Sequence, residues 1–100
     1  MAYTIEITDF AYDELQAIKP FYRKQIVDAI DQQLVHEPAI ETKNRKILIG
    51  LQPDFEHEIP VWELRVGEYR VYYDVSDELM TVDIRAIRQK PPHTATERIV

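Results

Sequence analysis

Hydrophobic and polar residues alternate over residues 61–75, VWELRVGEYRVYYDV, and this alternation predicts a β-hairpin. The two-residue loop Gly67-Glu68, with glycine first, favours a type II′ turn. Counting outward from the turn pairs Arg65 with Arg70 on the polar side of the hairpin. The other side is apolar and aromatic: Trp62, Leu64, Val66, Tyr69, Val71 and Tyr73. The pattern therefore predicts a buried face and a solvent face that carries two neighbouring arginines.

Periodic segments on both sides of the hairpin predict the remaining elements. Alternation over residues 3–7 indicates a short strand, and Thr8 or Asp9 is a suitable N-cap for a short helix after it. A second helix is predicted from Pro20 to about His36. Strands are predicted at about 61–66, 69–75 and 80–88, the last with Val82, Ile84 and Ala86 facing the core. Residues 39–60 lack a period and are predicted to form a long loop.

The order of these elements indicates the fold class. Strand, helix, helix and three consecutive strands predict an α+β fold, β-α-α-β-β-β, in which a helical hairpin covers one face of a small antiparallel sheet. With 100 residues the chain is long enough for one domain and not for two. We therefore expect a single domain over residues 1–100.

Composition excludes several classes of site. The absence of cysteine excludes disulfides and thiolate zinc sites, and two glycines are too few for a glycine-rich phosphate loop. The histidines are not at ligand spacing, so we expect no metal and no cofactor. The net charge of −6 argues against a surface broadly attractive to nucleic acid. No secretory signal or membrane-length apolar run is visible, so we expect a cytoplasmic protein.

The two facing arginines allow two interpretations. Like charges directly opposite each other destabilise a sheet, so Glu63, Asp74 or Asp83 could neutralise them on an ordinary solvated face. Alternatively, the guanidinium groups converge on an anion such as phosphate, with the Tyr72 ring available to stack a base. The residues alone leave both interpretations open.

The segment WELRVGEYRVYYDV follows two helices and the basic loop KNRK, and it precedes a strand with arginine and lysine at its end. Over nearly the whole chain this arrangement resembles the RelE/ParE superfamily of type II toxin–antitoxin toxins. The resemblance implies a small antiparallel sheet flanked by helices, and RelE-like members cleave mRNA in the ribosomal A site. It also implies a cognate antitoxin and mRNA on the ribosome as partners, with operator DNA bound only through the antitoxin complex.

The resemblance also implies site residues. Arg70 matches the arginine that stabilises charge at the scissile phosphate, and Arg65 lies where relatives carry a catalytic or phosphate-binding lysine or arginine. Lys90, or Arg88 if the end of the strand slips, lies near the basic residue after the last strand, and His93 is the acid–base candidate of the tail. The predicted catalytic residues are Arg70, Arg65, Lys90 and His93. The predicted substrate-binding residues are Arg85, Arg88, Tyr72, Lys43, Arg45 and Lys46.

Two departures from the family pattern keep the function open. Glu63 lies where some relatives have a lysine, and Thr96 lies near the place of a C-terminal tyrosine that many active members use. The first hypothesis is a metal-independent, ribosome-dependent mRNA endonuclease that an antitoxin neutralises. The alternatives are a ParE-like inhibitor of DNA gyrase and an inactive module that retains only antitoxin binding and autoregulation.

Overall fold

The computed structural model describes residues 2–50 and 52–90. It has an α+β fold, as predicted, in which one sheet has the strand order β1-β5-β4-β3-β2. Strand β1 pairs with β5 in parallel and every other pair is antiparallel, so the sheet is mixed. Along the chain the elements are β1 (Thr4–Ile7), α1 (Asp9–Gln16), α2 (Pro20–Leu34), β2 (Arg45–Ile47), β3 (Trp62–Val66), β4 (Tyr69–Ser76) and β5 (Thr81–Gln89).

The hairpin of β3 and β4 has the predicted register. Arg65 lies opposite Arg70, and Glu63 lies opposite Tyr72. Gly67 has a φ of +57°, which places it in the left-handed region that a II′ turn requires at its first position. Turn chemistry and alternation together thus determine which side chains are neighbours on each face.

The main hydrophobic core lies between the helices and the predicted apolar face of the sheet. Both helices contribute residues at helical spacing, because a stripe of apolar side chains is stabilised by removal from water. The buried members are Ala11, Leu15, Ile26, Ile30, Leu34, Trp62, Leu64, Val71, Tyr73, Val82, Ile84 and Ile87.

The opposite face of the sheet is not the solvated surface that the sequence predicted. Residues 52–61, here called the covering segment, pack Phe55 and Val61 against Tyr72 and Ala86 and form a second hydrophobic cluster. As a result Tyr72 is fully buried, and the Phe55 ring lies 5.6 Å from the Tyr72 ring. The prediction of an open face was wrong because a short aperiodic segment, invisible to a periodicity argument, covers it.

A β-bulge in the pairing of β4 with β5 corrects one prediction. The register shifts between Tyr72 and Tyr73, so Tyr72 lies opposite Ala86 whereas Tyr73 lies opposite Ile84. Arg85 is the extra residue in β5. Each residue of β5 after Arg85 therefore lies on the opposite face of the sheet from the one that strict alternation predicts. Ala86 therefore belongs to the second cluster, and Ile87 takes its place in the main core.

Helix α1 covers the edge of β5 beyond the end of β1. Thr8 is the N-cap, as predicted: its hydroxyl accepts a hydrogen bond from the Ala11 backbone N–H at 3.2 Å. The hydroxyl also donates to the Ile84 carbonyl at 2.9 Å. In the last turn of α1, Glu14 Oε1 accepts the Ile87 backbone N–H at 2.9 Å. Side chains of the helix thus satisfy backbone groups that a neighbouring strand would otherwise pair.

The long segment predicted as loop contains strand β2, which pairs with β3 at the sheet edge. Three residues are too few for alternation to be recognised in the sequence. Within the part of the chain that the structure describes, no helix is long and apolar enough to cross a membrane.

Candidate functional site

Three arginines lie in one row across the three central strands of the sheet, near the turn between β3 and β4. Arg65 on β3 lies opposite Arg70 on β4, and Arg70 lies opposite Arg88 on β5. Neighbouring strands are about 4.8 Å apart, so the row spans roughly 10 Å between its outer Cα atoms. Because directly opposed residues share a face, all three side chains leave the sheet on the side of the covering segment. We call Arg65, Arg70 and Arg88 the arginine row.

Arg65 and Arg70 form no ion pair with any carboxylate among residues 2–50 and 52–90. Arg65 is exposed, whereas Arg70 is buried with 5% of its surface accessible. Arg70 Nη1 donates to the carbonyls of Gly67 and Tyr69, both at 2.8 Å, so the turn fixes one edge of the guanidinium. The interpretation in which carboxylates neutralise this pair therefore finds no support in the described contacts.

Arg88, the third member of the row, is held by groups from two other elements. Its Nε donates to Glu14 Oε2 at 3.0 Å, and its Nη1 lies 2.9 Å from Asp54 Oδ1. The guanidinium carbon is 5.8 Å from the Phe10 ring centre and 5.3 Å from that of Phe55, within cation–π range. Burial lowers the pKa of Arg88, but its bonds to the two carboxylates more than offset this, so the pKa is raised.

Arg85, a predicted substrate-binding residue, is occupied by carboxylates. Its Nε donates to Asp74 Oδ2 at 2.7 Å, and Asp83 lies 3.7 Å away. The same Asp74 oxygen accepts the Glu58 backbone N–H at 2.9 Å, which attaches the covering segment to the sheet. Arg85 is thus part of the support of the segment and lies off the arginine row.

Glu63 lies beside the arginine row without pairing with it. One carboxylate oxygen is 3.7 Å from Nζ of Lys46, the residue directly opposite on β2, and the other is buried without a hydrogen-bond partner among the described residues. The Tyr72 hydroxyl is likewise buried and has no hydrogen-bond partner of good geometry in the part of the chain that the structure describes. Burial raises the pKa of Tyr72, and the neighbouring Glu63 raises it further. Tyr72 is covered in this structure, so its ring is not accessible for base stacking.

The remaining predicted site residues are dispersed. Lys43 is exposed in the loop before β2. Arg45 is buried on the helical side, where its Nη1 donates to the Gln33 carbonyl near the end of α2. Lys90 is half-buried at the turn of the hairpin, where its backbone N–H donates to the Glu68 carbonyl at 2.7 Å. His93, like Thr96, lies outside the described residues.

Sequence reasoning missed the residues that hold Arg88. Nothing in the pattern of α1 distinguishes Glu14 from its other acidic residues, since its partner is 74 positions away. Asp54 and Phe55 belong to the acidic run DFEHE, and an aromatic residue within an acidic aperiodic run was an available signal that the run packs against something. Among the described residues no cluster of three or more histidine, aspartate or glutamate side chains could hold a metal ion.

Residues 5–90 match the family model of the ParE toxin of the type II toxin–antitoxin system parDE. The chain belongs to this family. The protein is thus a toxin of the RelE/ParE type, and the match covers the helices, the sheet and the whole arginine row. No curated protein matches the toxin sequence significantly.

Solved structures support the same fold for this toxin. The intact E. coli RelBE toxin–antitoxin complex matches with 29% identity and a TM-score of 0.64, over 90% of this chain and 98% of that one. The isolated E. coli RelE toxin matches with 25% identity and a TM-score of 0.68, over 99% of this chain and 100% of that one. The RelBE2 toxin–antitoxin complex from Mycobacterium tuberculosis matches with 25% identity and a TM-score of 0.70, over 90% of this chain and 100% of that one.

Proposed function

We propose that this toxin is an endoribonuclease that cleaves mRNA on the ribosome and is neutralised by a cognate antitoxin. The observation that carries the proposal is the pair of Arg65 and Arg70, directly opposed on adjacent strands and without a carboxylate partner among the described residues. Guanidinium groups bind phosphate oxygens through two parallel hydrogen bonds, which suits a phosphodiester. Complexes of related toxins with their antitoxins support the antitoxin as partner, and operator DNA would be reached through that complex.

The proposed reaction is a transesterification within the RNA. The 2′-oxygen loses its proton to a base and bonds to the adjacent phosphorus, and the bond from phosphorus to the 5′-oxygen breaks as that oxygen takes up a proton. Negative charge accumulates on the phosphoryl oxygens in the transition state, where preorganised cations stabilise it. In the proposal the exposed Arg65 contacts the phosphoryl oxygens, and the buried Arg70 beside it stabilises them by its positive charge. Lys90 at the adjacent turn adds positive charge, and His93 exchanges the proton.

Substitution of Arg65 is the cleanest test of the proposed function. Arg65 is exposed, so Arg65→Ala should leave the fold intact, whereas Arg70→Ala also removes two bonds to the turn. We expect Arg65→Ala to reduce transcript cleavage, measured by primer extension after induction, by about 100-fold, as for loss of one transition-state donor. Lys24→Ala removes the same charge from an exposed position on α2, on the helical side of the sheet, and should leave cleavage nearly unchanged. Full growth arrest by folded Arg65→Ala would refute the proposed site.

The gyrase alternative has its own support, because the matching family model is that of the ParE toxin. Glu63, a carboxylate beside the arginine row, also departs from the lysine expected of a nuclease. Supercoiling by purified gyrase in the presence of the toxin separates the two functions. Inhibited supercoiling together with uncleaved transcripts would replace the nuclease proposal with this one.

A further inference from the structure

We propose that Arg88 is a second phosphate site for RNA, adjoining the Arg65–Arg70 pair, and that Asp54 occupies it until RNA displaces the carboxylate. The inference rests on the proposed function, since it names a further contact for the same substrate. It concerns the guanidinium bound by Glu14 and Asp54 and flanked by the Phe10 and Phe55 rings.

The geometry of Arg88 is that of an anion site already filled. Glu14 takes the Nε edge, and the carboxylate at Nη1 belongs to Asp54. A carboxylate and a phosphate each offer a guanidinium two oxygens in similar geometry. Glu14 and Asp54 bind the Arg88 guanidinium at the same time. The site can therefore accept an oxyanion at Nη1 while Glu14 stays bound at Nε.

The two carboxylates differ in how easily they can leave. Glu14 has 24% of its side chain exposed and also accepts the Ile87 backbone N–H, so its release would leave a backbone donor unpaired. Asp54 has 68% of its side chain exposed, and Arg88 is its only salt-bridge partner among the described residues. Exposed ion pairs contribute about 0–1 kcal/mol, so little opposes the exchange of Asp54 for phosphate.

The position of Arg88 in the row suits one continuous ligand. Arg88 lies directly opposite Arg70, which lies directly opposite Arg65, so Arg88 and the exposed Arg65 share one face about 10 Å apart, within reach of a single RNA strand. The Phe10 ring is half exposed beside the guanidinium and gives a neighbouring base an apolar surface to stack on. Phosphate at Arg88 with a base against Phe10 is therefore a nucleotide subsite next to the catalytic pair.

The test compares Asp54→Asn with Glu58→Gln. Both remove one negative charge from the covering segment, but Glu58 is exposed and its carboxylate makes no contact with an arginine of the described residues. The ligand is a short RNA carrying 2′-O-methyl groups, which cannot be cleaved, so binding is measured apart from catalysis. An acidic peptide of equal charge is the second ligand.

We expect Asp54→Asn to bind this RNA about 2- to 5-fold more tightly than the wild type, as when an exposed ion pair no longer competes. The slope of log affinity against log salt should be steeper by about 0.7 in Asp54→Asn than in the double variant Asp54→Asn with Arg88→Gln, because the double variant lacks one single-strand phosphate contact. Glu58→Gln should change neither quantity by a comparable amount. The double variant Asp54→Asn with Arg88→Gln should lose the gain.

Three results would overturn the inference. These are equal tightening by Glu58→Gln, no tightening by a folded Asp54→Asn, or tightening for the acidic peptide in place of RNA. Transcript cleavage by the wild type tests the proposed function separately. Cleavage combined with an unchanged Asp54→Asn affinity refutes only the role of Arg88.

Discussion

Tyr72 and Tyr73 are neighbours in the sequence, yet their side chains are buried on opposite faces of the sheet. The Tyr73 hydroxyl donates to the Pro38 carbonyl at 2.7 Å, which anchors the chain after α2 to the main core. The Tyr72 hydroxyl, under the covering segment, has no such partner within residues 2–50 and 52–90. Two equally buried hydroxyls therefore differ in what they contribute to stability.

This difference predicts unequal effects of removing each hydroxyl. Tyr73→Phe should lower the free energy of unfolding by about 1–3 kcal/mol, because the buried Pro38 carbonyl loses its donor. Tyr72→Phe should change it by less than about 1 kcal/mol, since no well-formed hydrogen bond is lost. Urea unfolding at neutral pH measures both values. Equal losses would contradict the bonding described for these residues.

Both tyrosines also predict how stability changes in alkali. Burial is the main cause that raises the pKa of each hydroxyl above the ordinary value of about 10. The folded state then keeps protons that the unfolded state releases, so stability is fully present below about pH 10 and falls as pH rises above it. Urea unfolding from pH 8 to 11 should show this fall, and each phenylalanine variant should show a shallower one.

At the residue scale, the sequence predicted which residues lie opposite each other better than it predicted which residues are exposed. The pairing of Arg65 with Arg70 follows from alternation and a two-residue turn, which are local. The burial of Tyr72 depends on Phe55, whose contact arises from a loop conformation that no short-range pattern encodes. The contacts of Glu14 and Asp54 with Arg88 are likewise not encoded in any short-range pattern.

Among the elements, β2 shows how a segment without a period acquires a structural role. It is a three-residue strand at the edge of the sheet, and its first residue, Arg45, turns toward the helices. There Arg45 donates to the Gln33 carbonyl in the last turn of α2. A cation at the C-terminal end of a helix also interacts favourably with the helix dipole. The basic loop thus divides into a structural arginine and exposed lysines.

We accordingly expect substitution by methionine to affect stability unequally at Arg45 and at Lys43. Arg45→Met should destabilise the toxin by about 1–3 kcal/mol, because a bonded and buried guanidinium is lost. Lys43→Met, at an exposed position, should cost less than about 0.5 kcal/mol. Thermal unfolding of the two variants side by side measures the difference. Equal melting temperatures would mean that Arg45 does not support α2.

The order and class of the elements could be predicted, whereas their local irregularities could not. Helix caps, a proline at the start of α2 and strand alternation are local signals, and they located both helices and four of the five strands. The bulge at Arg85 was missed because it depends on the pairing of β4 with β5. Its consequence, the exchange of Ala86 for Ile87 in the core, was missed with it.

For the molecule as a whole, two hydrophobic clusters of unequal size share one sheet. The main core joins both helices to all five strands, whereas among the described residues the second cluster joins only the covering segment and Leu48 to the other face. Few buried contacts mean that a region opens at a low free energy. We therefore expect the covering segment to open without unfolding the main core.

Phe55→Ala tests this expectation. Burying a phenylalanine stabilises by roughly 1.5–3 kcal/mol, so amide exchange at Glu58 and Leu48, whose N–H groups bond to Asp74 and Val61, should accelerate by at least about tenfold. Amides inside α2 should keep their wild-type protection. Phe21→Ala removes a ring that is 68% exposed and is the matched control, expected to change neither set. Loss of protection in α2 would show that the clusters are not independent.

Asp54 and Arg88 belong to the same chain, and this has a consequence for ligand choice. A tethered carboxylate acts as a competitor at an effective concentration of order millimolar, however dilute the toxin is. Orthophosphate or a mononucleotide attaches at a single point. Below that concentration its binding free energy is too small to displace the Asp54 carboxylate. A polymer that also binds at Arg65 and Arg70 can do so through avidity. The toxin would then distinguish multivalent from monovalent ligands because Asp54 and Arg88 are part of one chain. No group that recognises chain length would be needed.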